Sequence, residues 1–200
     1  VISGKGGTGK TSLVASLAVL CRQRAVLADC DVDAADLHLV LEPHVEHREP
    51  FLGGGKARVK PGRCTACGKC AELCRFDAVL FDGPGNGRVP RTYRVDRLAC
   101  EGCGVCAFFC DARAIEFAPA VCGQWLVSHT RCGPLVHARM EPGAENSGKL
   151  VTVIRQQARQ IAARHRREWI LCDGSPGIGC PVIASLTGAD LALIVVEPTV

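Results

Sequence analysis

The sequence predicts an α/β fold, a mostly parallel sheet with helices on both faces, interrupted by a small α+β insertion. Three observations carry this expectation. A glycine-rich loop, Gly4–Gly9, follows a short apolar stretch and opens a helical one. Apolar runs of buried-strand type end on acidic residues at Asp29 and Asp173, the pattern of parallel strands whose carboxyl ends carry function. Between them, eight of the 14 cysteines fall in two runs of identical spacing.

The elements follow in order. Thr11–Gln23 is apolar-rich and reads as a helix, and Ala25–Ala28 as a buried strand ending at Asp29. From 51 to 119 the chain is rich in Cys and Gly, with short strands. There, Ala78–Phe81 and Thr92–Val95 suit a hairpin joined through Gly83–Gly87. Gln124–Ser128 and Leu135–Ala138 read as strands. Asn146 or Ser147 can cap a helix running to about His165, with Leu150, Val151, Ile154, Ala158, Ile161 and Ala162 on one face. Trp169–Cys172 and Leu191–Val196 read as buried strands, and Cys180 as N-cap of a helix with Pro181 at its first position. The expected domains are therefore 1–50 and 120–200, two parts of one α/β domain, around an insertion at 51–119. The chain opens without Met and stops just after an apolar run, so it reads as a piece cut at both ends, truncated in its second α/β part.

Composition bounds the function classes. At 200 residues, 48% hydrophobic and 22% charged, the chain suits a soluble globular protein. No apolar run reaches the roughly 18 residues of a membrane span. The formal charge of +4 suggests nucleic acid, but it counts cysteines as neutral. Two four-iron clusters on thiolates, at about −2 each, would cancel it. The arginines at 155, 159, 164, 166 and 167 read as a solvated face rather than a DNA surface, since one Tyr and two Trp leave little for base stacking.

Gly4-Lys5-Gly6-Gly7-Thr8-Gly9-Lys10-Thr11 fits the phosphate-binding loop G-x-x-x-x-G-K-[ST]. Its backbone N–H groups and the helix N-terminus cradle phosphates. Lys10 would reach the β- and γ-phosphates and Thr11 would bind Mg²⁺, with Ser12 completing the nucleotide-binding set. The same residues fit a dinucleotide fingerprint, with Asp29 about 20 residues on. Lys10 and Thr11 decide against it, because that turn uses neither a lysine nor a hydroxyl. Asp31 can orient the attacking water or a Mg²⁺-bound water, and Asp173 suits a Mg²⁺ contact, directly or through water. Asp33 reads as a weaker candidate or a turn residue.

Cys64, Cys67, Cys70 and Cys74 form C-x₂-C-x₂-C-x₃-C, and Cys100, Cys103, Cys106 and Cys110 repeat it. In such pairs the fourth cysteine ligates the other cluster. The expected sets are Cys64, Cys67, Cys70 and Cys110 for one [4Fe–4S] cluster, and Cys100, Cys103, Cys106 and Cys74 for the second. Structural zinc uses two C-x-x-C pairs rather than four cysteines in one run. Arg75 and Asp111 stand where the bacterial ferredoxin run has proline, which leaves turn geometry and potential open. A reducing, cytoplasmic location follows from this cysteine usage. Of the other six, Cys21 and Cys172 read as core. Cys180 reads either as a small residue beside a switch or, with Cys122 or Cys132, as a ligand of a cluster between subunits. His129 and His137 read as packing or surface residues.

Taken together, these features resemble the MinD-superfamily P-loop ATPases with an inserted two-cluster ferredoxin domain. Lys5 matches the extra lysine of the deviant Walker A group that includes ParA, Mrp and nitrogenase iron protein. Asp29–Ala34 with Leu37–Leu39 resembles the first switch, 145–151 the segment opening the long helix, and Asp173–Pro181 the second switch. The resemblance implies ATP binding, ATPase chemistry, a Lys5 that reaches a partner's nucleotide, and nucleotide-dependent homodimers or paralogue heterodimers. The expected function is nucleotide-driven switching coupled to electron transfer to an unidentified redox partner protein. The alternatives are an iron–sulfur carrier or scaffold of Mrp type and a redox-sensing, nucleotide-dependent partner switch.

Overall fold

The computed structural model describes residues 1–141 and 148–198. The chain divides into two compact units. The first holds Val1–Phe51, Gly123–Met140 and the described residues from 148 on; the second holds Leu52–Cys122.

In the first unit, β1 (Ile2–Ser3) leads through the glycine loop into α1 (Lys10–Cys21) and then β2 (Ala25–Asp29), every residue of which is buried. A short α2 (Leu37–Leu41) follows. Strand β3 (His44–Val59) begins in this unit and ends in the second; β6 (Ile115–Thr130) runs from the second unit back into the first. The short strands expected across the insertion are thus partly replaced by two 16-residue strands. Their alternating burial over Phe51–Val59 buries one face and leaves the other open.

A hairpin joins β6 to β7 (Gly133–Met140), antiparallel from Gly123↔Met140 to Thr130↔Gly133. β2 pairs in parallel with β7 on one side and β8 (Trp169–Asp173) on the other. β1 pairs in parallel with β9 (Ile194–Val195). The central strands are parallel, as α/β architecture requires, and the β6–β7 hairpin adds an antiparallel margin. One core joins α1, α2 and the sheet through Val14, Ala18, Leu27, Leu37, Leu41 and Leu135. Helix α5 (Lys149–Arg164) buries Leu150, Val151, Ile154, Ala158 and Ala162, the expected face apart from Ile161, which is half-buried. The expected caps Asn146 and Ser147 lie outside the described residues; the N-cap is Gly148.

Three local expectations are corrected. Helix α6 (Cys180–Leu186) has Gly179 as N-cap, so Cys180 is already helical. Its side chain therefore points outward and is exposed. β8 is half-buried rather than buried. The run Leu191–Val196 yields only a two-residue strand, with Leu191 and Val196 exposed, since among the described residues nothing packs over it.

In the second unit, α3 (Lys69–Glu72) and α4 (Val105–Phe108) are single turns, each starting after a glycine at positive φ. The hairpin β4 (Val79–Gly83) and β5 (Thr92–Val95) is antiparallel. Its core is built from Ala57, Val59, Ala78, Val79, Val95, Ala114 and Ile115 together with cysteines from both runs.

Candidate functional site

The glycine loop is a preformed cradle. Gly7 and Gly9 have φ of 77° and 86°, conformations open to glycine and strained for other residues. Among the described residues, a Cβ on Gly4, Gly6, Gly7 or Gly9 would meet nothing within 4 Å, so positive φ rather than crowding calls for glycine at Gly7 and Gly9. No acidic residue occupies the first turn of α1, leaving the positive helix end available to an anion. The Thr8 hydroxyl is buried and has no hydrogen-bond partner among the described residues, an orphan that a phosphate oxygen would satisfy.

Lys10 is 5% exposed and faces a buried acidic group. β2 and β8 lie in register, so Asp29 stands opposite Asp173. Both are 1% exposed or less. Burial, then the neighbouring Asp173 charge, pushes the Asp29 carboxyl well above its ordinary range. Asp29 nevertheless serves the backbone: it accepts from the Asp31 and Leu37 N–H groups at 3.2 and 3.3 Å, and so pins α2 to the end of β2. Burial raises Asp31 to about 6, with Lys10 the main opposing influence. Asp173 is also raised by burial, against the pull of Thr11 and Lys10. Thr11 stands close to it, yet neither Asp173 oxygen completes a hydrogen bond among the described residues. Two buried oxygens with no partner among the described residues, beside a threonine hydroxyl and a phosphate cradle, would suit a hard divalent cation such as Mg²⁺. Asp33 is an exposed turn residue.

The two acidic strand ends are tied together. Cys30 N–H donates to the Asp173 carbonyl at 2.8 Å, and Ser175 Oγ donates to the Cys30 carbonyl at 2.9 Å. The Cys30 and Cys172 thiols lie close enough to interact. That interaction and Arg155 hold Cys172 down to about 6, while the same interaction and burial raise Cys30. Arg155, expected on a solvated face, is instead buried. It donates to the Ala184 and Thr187 carbonyls at 2.8 and 2.5 Å, closing the C-terminal end of α6. Arg159 and Arg167 likewise bond the carbonyls of Gly188 and Gln23. Capping carbonyls consumes much of the basic face. The sequence signal for Arg155 is its place beside Ile154 on the apolar stripe. Lys5 makes an ion pair with Glu197 at 2.7 Å, and Ser12 lies exposed on the first turn of α1.

In the second unit, the structure brings the cysteines together crosswise. Cys64, Cys67, Cys70 and Cys110 line one small pocket, floored by Val59, Ala114 and Ile115. Cys74, Cys100, Cys103 and Cys106 line another, against Ala57, Val79 and Val95. Burial pushes the Cys70 thiol up to about 11 and raises Cys106 as well, so thiolates here need a cationic partner. Among the described residues, no group of three or more His, Cys, Asp or Glu is arranged to hold a metal ion.

Of the remaining cysteines, Cys132 packs in the first unit's core, while Cys122 is buried and donates to the Gly53 carbonyl at 2.5 Å. Cys21 packs against the first unit's core and is half-buried. His137 is fully buried, bonded to Ser128 at 2.8 Å, and His129 is exposed. No helix among the described residues is long and apolar enough to cross a membrane.

Comparison with known families and proteins agrees with this nucleotide site. The CobQ/CobB/MinD/ParA nucleotide binding domain matches residues 1–187. Two uncharacterized proteins of Methanocaldococcus jannaschii are similar over the whole chain. MJ0578 is 34% identical, with 67% of its length covered, and MJ0579 is 27% identical, with 68% covered. The chain belongs to the CobQ/CobB/MinD/ParA nucleotide-binding family.

Proposed function

We propose that this member of the CobQ/CobB/MinD/ParA family is an ATP-hydrolysing iron–sulfur protein that couples nucleotide-driven switching to electron transfer. The observation that carries the iron–sulfur part is the grouping of cysteines. Each small pocket collects three cysteines of one run and the fourth of the other, the exchange seen in two-cluster ferredoxins. A four-iron cubane puts an iron behind each thiolate, so its ligands stand further apart than those of one ion. Cys64, Cys67, Cys70 and Cys110 would hold one [4Fe–4S] cluster, and Cys74, Cys100, Cys103 and Cys106 the other. Bound there, the clusters supply one-electron transfer.

For nucleotide chemistry, the loop N–H groups and Lys10 would hold the β- and γ-phosphates of ATP. Thr11 and Asp173 would hold Mg²⁺. Asp31, raised to about 6 beside Lys10, would orient the attacking water. Lys5 would reach the nucleotide of a second subunit. The first switch, pinned through Asp29, and the second, pinned through Asp173 and Ser175, share hydrogen bonds. A γ-phosphate that moves either one therefore moves both, which is the bistable element that coupling needs.

The test is an anaerobic redox titration of the full-length protein by electron paramagnetic resonance, with and without MgATP. Two low-potential [4Fe–4S] signals whose midpoints shift with MgATP are expected. Protein that holds no iron when isolated and reconstituted anaerobically would sink the iron–sulfur reading. Two signals indifferent to nucleotide would favour a redox-sensing partner switch instead.

A further inference from the structure

We propose that the second unit carries a basic groove that docks an acidic segment of a partner protein. The groove, about 790 Å³, lies over β3, β5 and the start of β6. Strand alternation places Lys56 and Arg58 on one open face of β3, because the neighbouring Ala57 and Val59 are buried. Arg94 and Arg97 face the same space, and Glu116 is its one carboxylate.

The cations are not equally committed. Arg94 grips Asp82 through two hydrogen bonds of 3.0 and 2.7 Å, Lys60 pairs with Glu116, and Lys56 donates to the Cys100 carbonyl at 2.5 Å. Among the described residues, no side-chain hydrogen bond or ion pair engages Arg58 or Arg97, although the Arg58 charge helps Lys60 lower the Glu116 carboxyl. Two guanidinium groups are thus left facing solvent over a floor bordered by Ala57, Val59 and Val95, whose side chains are buried in the core behind it.

The shape selects the occupant. A small-molecule site encloses most of its ligand and fixes it with buried polar groups. Here the walls are open, with Arg58, Arg97, Pro119 and Val121 exposed, and the polar groups are long flexible cations. That suits an extended acidic peptide, whose carboxylates take the guanidinium forks while its backbone lies along the floor.

The position also matters. Lys56 touches the Cys100 carbonyl, and Ala57 and Val95 border both the groove and the pocket of Cys74, Cys100, Cys103 and Cys106. An acidic partner seated here would sit one residue layer from that cysteine set. The inference rests on the electron-transfer reading for the partner's redox character; the charge complementarity stands without it.

The test uses the full-length protein isolated anaerobically, with fluorescein-labelled octaglutamate as probe, read by fluorescence anisotropy, and iron assayed on every sample. Salt-sensitive binding is expected, weakened about tenfold or more by Arg58→Glu with Arg97→Glu. Arg164→Glu with Arg166→Glu, two exposed arginines at the end of α5, should leave it unchanged. If the charge reversals lose iron, Arg58→Gln with Arg97→Gln replaces them, with a smaller loss expected. Equal binding to iron-retaining Arg58/Arg97 variants would overturn the proposal. So would an equal loss in the α5 control, or displacement of the probe by inorganic phosphate at concentrations near the probe's own Kd. Groove-dependent binding to protein that lacks iron would uphold the docking site while removing the cluster reading.

Discussion

Asp173 is a buried carboxylate whose two oxygens have no hydrogen-bond partner among the described residues, a costly feature for a purely structural residue. Asp173→Asn should therefore raise the melting temperature of the nucleotide-free protein by a few degrees while slowing ATP hydrolysis about 100-fold or more. Calorimetry and a phosphate-release assay check the two arms; a variant that loses stability and keeps its turnover would refute the Mg²⁺ role. Asp31 gives a pH signature. Its carboxyl rises from an ordinary 3.8 to about 6 on folding, so between those values the folded chain holds more proton than the unfolded one. Stability from this group is full at low pH and is lost as pH rises through about 6. His137 opposes it: burial lowers its pKa from 6.5 to about 4, so its contribution is lost as pH falls. Comparing wild type with Asp31→Asn cancels the histidine. Relative to that variant, nucleotide-free wild type should lose melting temperature as pH climbs from about 4 to 6. A difference flat across that range would contradict burial as the cause.

At the scale of elements, the turns that carry the cysteines are held by close backbone packing. Gly102 has φ 67°, and a Cβ there would lie 2.2 Å from the Gly55 carbonyl oxygen. Backbone cannot give way as a side-chain end can. Gly102→Ala should displace the loop of Cys100, Cys103 and Cys106 from β3. With two clusters expected, iron should fall from about eight to about four per chain, the signal from the Cys64, Cys67, Cys70 and Cys110 set surviving. Full iron in both sets would count against this account. Helices and inner strands were legible in the sequence because apolar periodicity and glycine punctuation act locally: Ala25–Asp29 and Thr92–Val95 are strands where the pattern puts them. The 16-residue lengths of β3 and β6 were not, since the Gly- and Cys-rich stretch 51–119 read as short strands and only pairing with a distant strand keeps Gly53, Gly54 and Gly55 extended. Arg155 was missed for a related reason: its partners Ala184 and Thr187 lie 29 and 32 residues away. The glycine loop and the twinned cysteine runs were plain from spacing alone. The orphaned Thr8 hydroxyl and the Cys30–Cys172 contact needed the fold.

For the whole molecule, the open question is whether one chain completes the nucleotide site. Lys5 lies on the exposed rim of the cradle rather than inside it, with its ammonium on Glu197 and both side chains about half exposed. A surface pair of that kind contributes about 0–1 kcal/mol, far less than a lysine gains from a phosphate it can reach in a desolvated interface. The pair is thus easily exchanged, whereas Lys10, buried against Asp31 and Asp173, is not. The two lysines should separate in experiment. Lys10→Ala should abolish binding of a fluorescent ATP analogue. Lys5→Ala should bind it within about threefold of wild type, since an exposed ion pair contributes little, but fail to dimerise on a sizing column run with Mg²⁺ and a non-hydrolysable ATP analogue. If Lys5→Ala dimerises as wild type does, each chain completes its own site and Lys5 belongs to the surface. If both variants lose nucleotide equally, Lys5 acts within its own loop, and any coupling of hydrolysis to the cysteine-bearing unit must run within one chain, through the shared bonds of Cys30, Asp173 and Ser175.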